Sequence, residues 1–129
     1  MRDVISTAKA PVPIGPYSVA IGTEHLVFCA AQAGLDPATG ALAPGGIRAE
    51  TDRAMRNLGA VLEAAGLTFA DVVRSGLFLV DMADFPVVNE VYGSFMGDEP
   101  PARTTVGVAS LPIRARIEID MVAVRRPGA

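Results

Sequence analysis

Residues 100–123, PPARTTVGVASLPIRARIEIDMVA, hold two alternating apolar runs joined by LPIRA, the pattern of two strands that each bury one face. Charge falls inside both runs. Arg103 opens the first behind a double proline, and Glu118 and Asp120 interrupt the isoleucines of the second. Strand side chains alternate, so Arg103 shares a face with Thr105, Gly107 and Ala109. In the second run Ile117, Ile119, Met121 and Ala123 share one face, and Glu118, Asp120, Val122 and Val124 the other. Charges in such places either face water or work in a pocket.

Upstream, residues 4–6 read as a short strand, and KAPVPIGPY follows as a loop whose prolines fix its dihedrals and present Tyr17 from a stiff support. From the residues alone Tyr17 reads first as the opening residue of a half-packed strand. Residues 18–21 and 26–32 form a hairpin across GTEH, with His25 in its turn. Cys29 lies in LVFCAAQAG, a nearly continuous apolar run typical of a strand covered on both faces, as a small buried hydrophobe. Apolar residues at three- and four-residue steps predict a helix over 47–65, with Arg48, Glu50, Asp52, Arg53, Arg56 and Glu63 mostly on its wet side and Gly66 stopping it. Thr68 to Asp71 has a capping pattern, a strand follows over 72–80, and Asp84 is placed to cap a second helix striped by Phe85, Val88, Tyr92 and Phe95. The order of elements predicts an α+β domain, one mixed sheet with two main helices on one face.

At 129 residues the chain is expected to be a single domain, spanning 1–129. Half of it is apolar and only 19% charged, more oil than a small monomer hides, so burial between subunits and a homo-oligomer are expected. No run reaches the roughly 20 apolar residues of a membrane helix, and the first residues lack a signal-peptide core, which points to the cytoplasm. One cysteine and one histidine leave no metal cluster to expect. A net charge of −3 with dispersed arginines offers no stripe for a phosphate backbone.

Arg103 followed on its face by a hydroxyl and a glycine makes a polar-floored opening where a guanidinium grips a carboxylate through two parallel hydrogen bonds, or it is an edge arginine that meets water. Glu118, if partly buried, suits orienting a water or passing a proton; otherwise it is a solvated acid paired with Arg114 or Arg116. Asn89, beside Val88, is a surface amide or lines a cleft. Ala30 and Ala31 leave room for close packing or for a ligand.

The same stretch closely resembles the signature of the reactive intermediate deaminase (RidA/YjgF) family, PARxxVxVxxLPxxxxIEIxxIA, and the resemblance continues through IGPYS, DPATGAL, EAAGLTFADVV and FPVVNEVYGSF. It implies a chorismate-mutase-like fold assembled as a homotrimer with clefts between subunits. It also implies a deaminase that hydrolyses enamines and 2-imino acids such as 2-iminobutyrate to 2-keto acids and ammonia, without metal or other cofactor. By the same resemblance Arg103 binds the substrate carboxylate, Glu118 stands near the reacting water, and Tyr17 and Asn89 match the tyrosine of the IGPY loop and the asparagine of the second helix. Ala31 and Thr105 then line the reacting end. Three positions depart from the pattern: Ala30-Ala31 replaces a common Ser-Gly, and Thr105 a cysteine found in several deaminases. The competing functions are a non-catalytic binder of small keto or carboxylic acids and, against the acidic charge, an endoribonuclease or translation inhibitor.

Overall fold

A computed structural model describes residues 1–126. Six strands form one mixed sheet: β1 (Asp3–Ile5), β2 (Ala20–Gly22), β3 (Leu26–Ala33), β4 (Val72–Leu79), β5 (Ala102–Gly107) and β6 (Ile117–Val124). Their spatial order is β1-β2-β3-β6-β4-β5. Helices α1 (Gly46–Ala64) and α2 (Phe85–Phe95) carry the connections before and after β4. All neighbours are antiparallel except β4 and β5, which run parallel because α2 carries the chain back between them. The two strands of the 100–123 stretch therefore do not pair with each other; β4 lies between them.

The expected alternation of β6 is present. Ile117, Ile119, Met121 and Ala123 are buried against α1 and α2, in a core with Met55, Leu58, Leu62, Leu77 and Val88. Truncating one such leucine to alanine removes about 2–5 kcal/mol. The opposite face of the sheet carries Glu118, Asp120 and Val122 half buried, while Phe28, Val106 and Val124 stand 45%, 40% and 38% exposed. Both helices thus cover one face only.

Four local expectations need correction. Glu50 does not point to water: it is fully buried, and its carboxylate accepts the Arg116 backbone N–H at 2.9 Å and pairs with the Arg116 guanidinium. Asp84 makes no cap bond, because its own backbone is already helical (φ −77°, ψ −8°); Asp81 instead accepts the Ala83 N–H at 2.9 Å and starts a 3₁₀ turn that runs into α2. The first strand of the 100–123 stretch ends at Gly107 rather than at 110, where a Cβ would meet Met82 at 3.0 Å. The apolar run of β3 is covered on one face, since Phe28 is exposed on the other. Thr68 and Asp71 form the capping box their spacing predicts.

The LPIRA connection holds a conformation its sequence does not announce. Ile113 (φ 55°, ψ 23°) and Arg114 (φ 58°) both occupy the left-handed region, at a cost of about 1–3 kcal/mol each. Glu50 clamps the end of this loop through Arg116, Ala115 is buried, and the Arg116 carbonyl accepts the Val80 N–H at 3.2 Å.

Candidate active site

Arg103 projects from edge strand β5 on the helix side of the sheet. Its Nη2 donates to Asn89 Oδ1 of α2 at 2.6 Å, and its guanidinium lies 5.1 Å from the Tyr92 ring centre and 5.5 Å from that of Phe85. The Tyr92 hydroxyl in turn donates to the buried Ser75 Oγ at 2.9 Å, which fixes the ring under the guanidinium. Asn89 is therefore not idle: half-buried, it orients the arginine. A hollow of about 300 Å³ adjoins the group, bounded by Asn89, Tyr92, Met96, Pro101 and Arg103. Among the described residues Arg103 forms no ion pair. Thr105 lies two residues along the same strand face, and its buried Oγ1 has no hydrogen-bond partner among the described residues.

Glu118 lies elsewhere. It projects from β6 on the open face of the sheet, in register with Phe78 of β4 and Ala33 of β3. A second cavity of about 300 Å³ collects Tyr17, Ala31, Gln32, Ile113 and Glu118 under the loop that carries Ile14. Burial pushes the Glu118 carboxyl above its ordinary value. Arg116, a partner considered for it, is engaged by Glu50 instead. Ala31 reaches the cavity through a β-bulge: between the pairs Cys29–Met121 and Gln32–Ile119, two alanines oppose the single Asp120. Tyr17 sits in the loop before β2, 47% exposed, with its N–H donating to the Gly15 carbonyl at 2.9 Å.

The candidate residues thus fall into two groups. Arg103, Asn89 and Thr105 belong to the helix side at the β5 edge; Tyr17, Ala31 and Glu118 belong to the open face. Arg103 is in register with Ser75, and Ser75 with Met121, three residues and two strands away from Glu118. One chain does not bring the two groups together. Gln32 and Ile113 of the second cavity went unmarked in the sequence: Gln32 reads as part of an apolar strand, and Ile113 as a linker. Cys29 is buried in the core, as a small hydrophobe would be, and burial first and the nearby Asp120 second push its thiol up to about 12. His25 is exposed in the β2–β3 turn, where its carbonyl accepts the Arg125 N–H, at the far end of β6 from Glu118.

The chain is thus a small α+β domain that carries, on opposite faces of one sheet, an arginine without an ion pair among the described residues and a half-buried glutamate. The Endoribonuclease L-PSP family model matches residues 7–125. The chain belongs to this family, the RidA/YjgF family its 100–123 stretch resembles. It is 46% identical over 127 residues to the mouse 2-iminobutanoate/2-iminopropanoate deaminase, covering 98% of this chain and 94% of that protein. The crystal structure of RidA from an Antarctic Psychrobacter superposes with a TM-score of 0.93 at 36% identity, over 95% of this chain and 99% of that one. E. coli TdcF with bound serine superposes with a TM-score of 0.92 at 34% identity, over 96% and 99%.

Proposed function

We propose that the protein is a 2-imino acid deaminase that hydrolyses substrates such as 2-iminobutanoate and 2-iminopropanoate to 2-keto acids and ammonia, in sites completed between subunits of a homotrimer. One observation carries the reading. Among the described residues each half-site lacks what the other has: no acid lines the Arg103 hollow, and no cation lines the Glu118 cavity. Apposed across an interface, they make one site with a carboxylate anchor at one end and a proton acceptor at the other. The exposed apolar residues of the open sheet face, Phe28, Val106 and Val124, supply the surface that such an interface would cover.

The chemistry asks little of the protein, because the imine carbon is already electrophilic. Arg103, aimed by Asn89, holds the substrate carboxylate through paired hydrogen bonds and fixes where C2 lies. Glu118 takes a proton from a water as its oxygen bonds to C2, and returns that proton to the nitrogen as the C=N electron pair moves there. Glu118 then takes the hydroxyl proton of the resulting carbinolamine and passes it to the amino nitrogen, so that the C–N bond breaks with loss of ammonia and the former water oxygen becomes the keto oxygen. A carboxylate whose proton affinity is raised by burial suits this taking and returning of a proton. Tyr17 and the bulged Ala31 bound the cavity in which this happens. RNA cleavage has no such support, since the single histidine is exposed in a turn remote from both groups.

The test is to generate 2-iminobutanoate and 2-iminopropanoate in situ and follow keto acid release. Acceleration over buffer is expected, together with its loss in Arg103→Ala. Absence of acceleration in a protein that still binds 2-ketobutyrate would make it a binder instead.

A further inference from the structure

Ile113 is costly where it stands. A β-branched side chain at φ 55° is disfavoured, whereas glycine or asparagine would take the same backbone readily. Its side chain does not repay this in the core, because it is 43% exposed. It lines the Glu118 cavity, and the loop that presents it is held in place by the buried Glu50 through Arg116. Strain kept at an exposed position in a cavity wall points to a role in what the cavity receives.

The rest of the wall indicates what that is. If the carboxylate of a 2-imino acid lies on Arg103 and its C2 faces Glu118, its side chain is left to the remainder of the cavity, where Val12, Ile14, Leu35, Pro112 and Ile113 are all apolar. The cavity is about 300 Å³ on one chain, and iminopropanoate has only six heavy atoms, which leaves room for a longer side chain. Among the described residues the polar side chains facing this space are Tyr17, Gln32 and Glu118, and of these Glu118 repels a second carboxylate. We infer that Ile113 is a specificity-determining residue, the wall against which an aliphatic or thioether side chain packs, so that the preferred substrates are 2-imino acids with extended apolar side chains. The inference rests on the deaminase reading above.

The experiment compares kcat/KM for imines generated from alanine, leucine, methionine and glutamate in wild type, Ile113→Gly and Ile113→Asn. Both substitutions suit a positive φ, so the thermal midpoint should stay level or rise, which separates a selectivity change from misfolding. Wild type should use the leucine and methionine imines at least as well as the alanine imine, and the glutamate imine roughly tenfold less well or worse. In both variants the leucine-to-alanine ratio of kcat/KM should fall by about tenfold. A ratio that stays the same in both variants overturns the role of Ile113 and leaves the deaminase reading intact. Failure of wild type to accelerate even the alanine imine overturns the deaminase reading, and this inference with it.

Discussion

Arg103 is held by three contacts: the 2.6 Å hydrogen bond to Asn89, and the rings of Tyr92 and Phe85 at 5.1 and 5.5 Å from its guanidinium. Lysine would keep the charge and lose the fork and the stacking. Arg103→Lys is therefore expected to lower kcat/KM on 2-imino acids by roughly 10- to 100-fold, the loss of about 1.5–3 kcal/mol of charge-assisted hydrogen bonding, chiefly through KM. A rate within twofold of wild type would remove Arg103 from the anchor role. For Glu118 the pH profile is the more telling measurement. Its carboxyl is shifted above its ordinary value by burial, so the active carboxylate is lost as pH falls through that raised value, and the acid limb of kcat/KM should lie above the ordinary glutamate range. Glu118→Gln should remove this limb and reduce the rate by about 10²- to 10⁴-fold. The same burial destabilises the fold while Glu118 is ionised, a cost relieved at lower pH. Both residues were legible in the sequence, as charges breaking an alternating pattern. Their surroundings were not, because Asn89 meets Arg103 only through the packing of α2 on β5.

The elements were legible where local chemistry decides them and illegible where a distant contact does. The capping box from Thr68 to Asp71 and the amphipathic period of α1 involve neighbours in sequence, and both are present. Glu50 was assigned to the wet side of α1 because acids usually lie there; only the approach of Arg116, 66 residues on, makes its burial tolerable. The left-handed turn at Ile113 and Arg114 lacks the glycine that normally signals one. The bulge at Ala30-Ala31 is fixed by its register against β6, which no single strand encodes. Where β3 ends, the backbone runs so close to α1 that a Cβ on Gly34 would stand 2.5 Å from the Glu50 carbonyl oxygen, with no flexible side chain to yield. Asn57 of α1 fastens the same place by donating to the Ala33 and Leu35 carbonyls at 3.2 and 2.8 Å. Gly34→Ala is expected to lower the unfolding free energy by about 1–3 kcal/mol in a urea titration. An unchanged midpoint would mean that α1 does not bear on β3 as closely as described.

For the whole molecule, the separation of the half-sites makes a prediction that a site within one chain does not. Arg103→Ala and Glu118→Gln, each inactive alone, should regain activity when their subunits are mixed and allowed to exchange. With random mixing of equal amounts, about a quarter of the interfaces pair two intact halves, so recovery should approach about a quarter of the wild-type rate. No recovery despite proven exchange would place both groups in one chain's site. The surplus of apolar residues is the ground on which an assembly is expected; in the proposed site, which chain contributes which wall depends on sheet order rather than on any motif, and so could not be read from the sequence. That sheet order bears also on how the chain is made. β6, the last strand in sequence, lies between β3 and β4 and pairs with both, so a nascent chain carries two open strand edges until its final described strand emerges from the ribosome. Nothing shorter can close the sheet, and the acid proposed to activate water arrives on the strand that completes the fold.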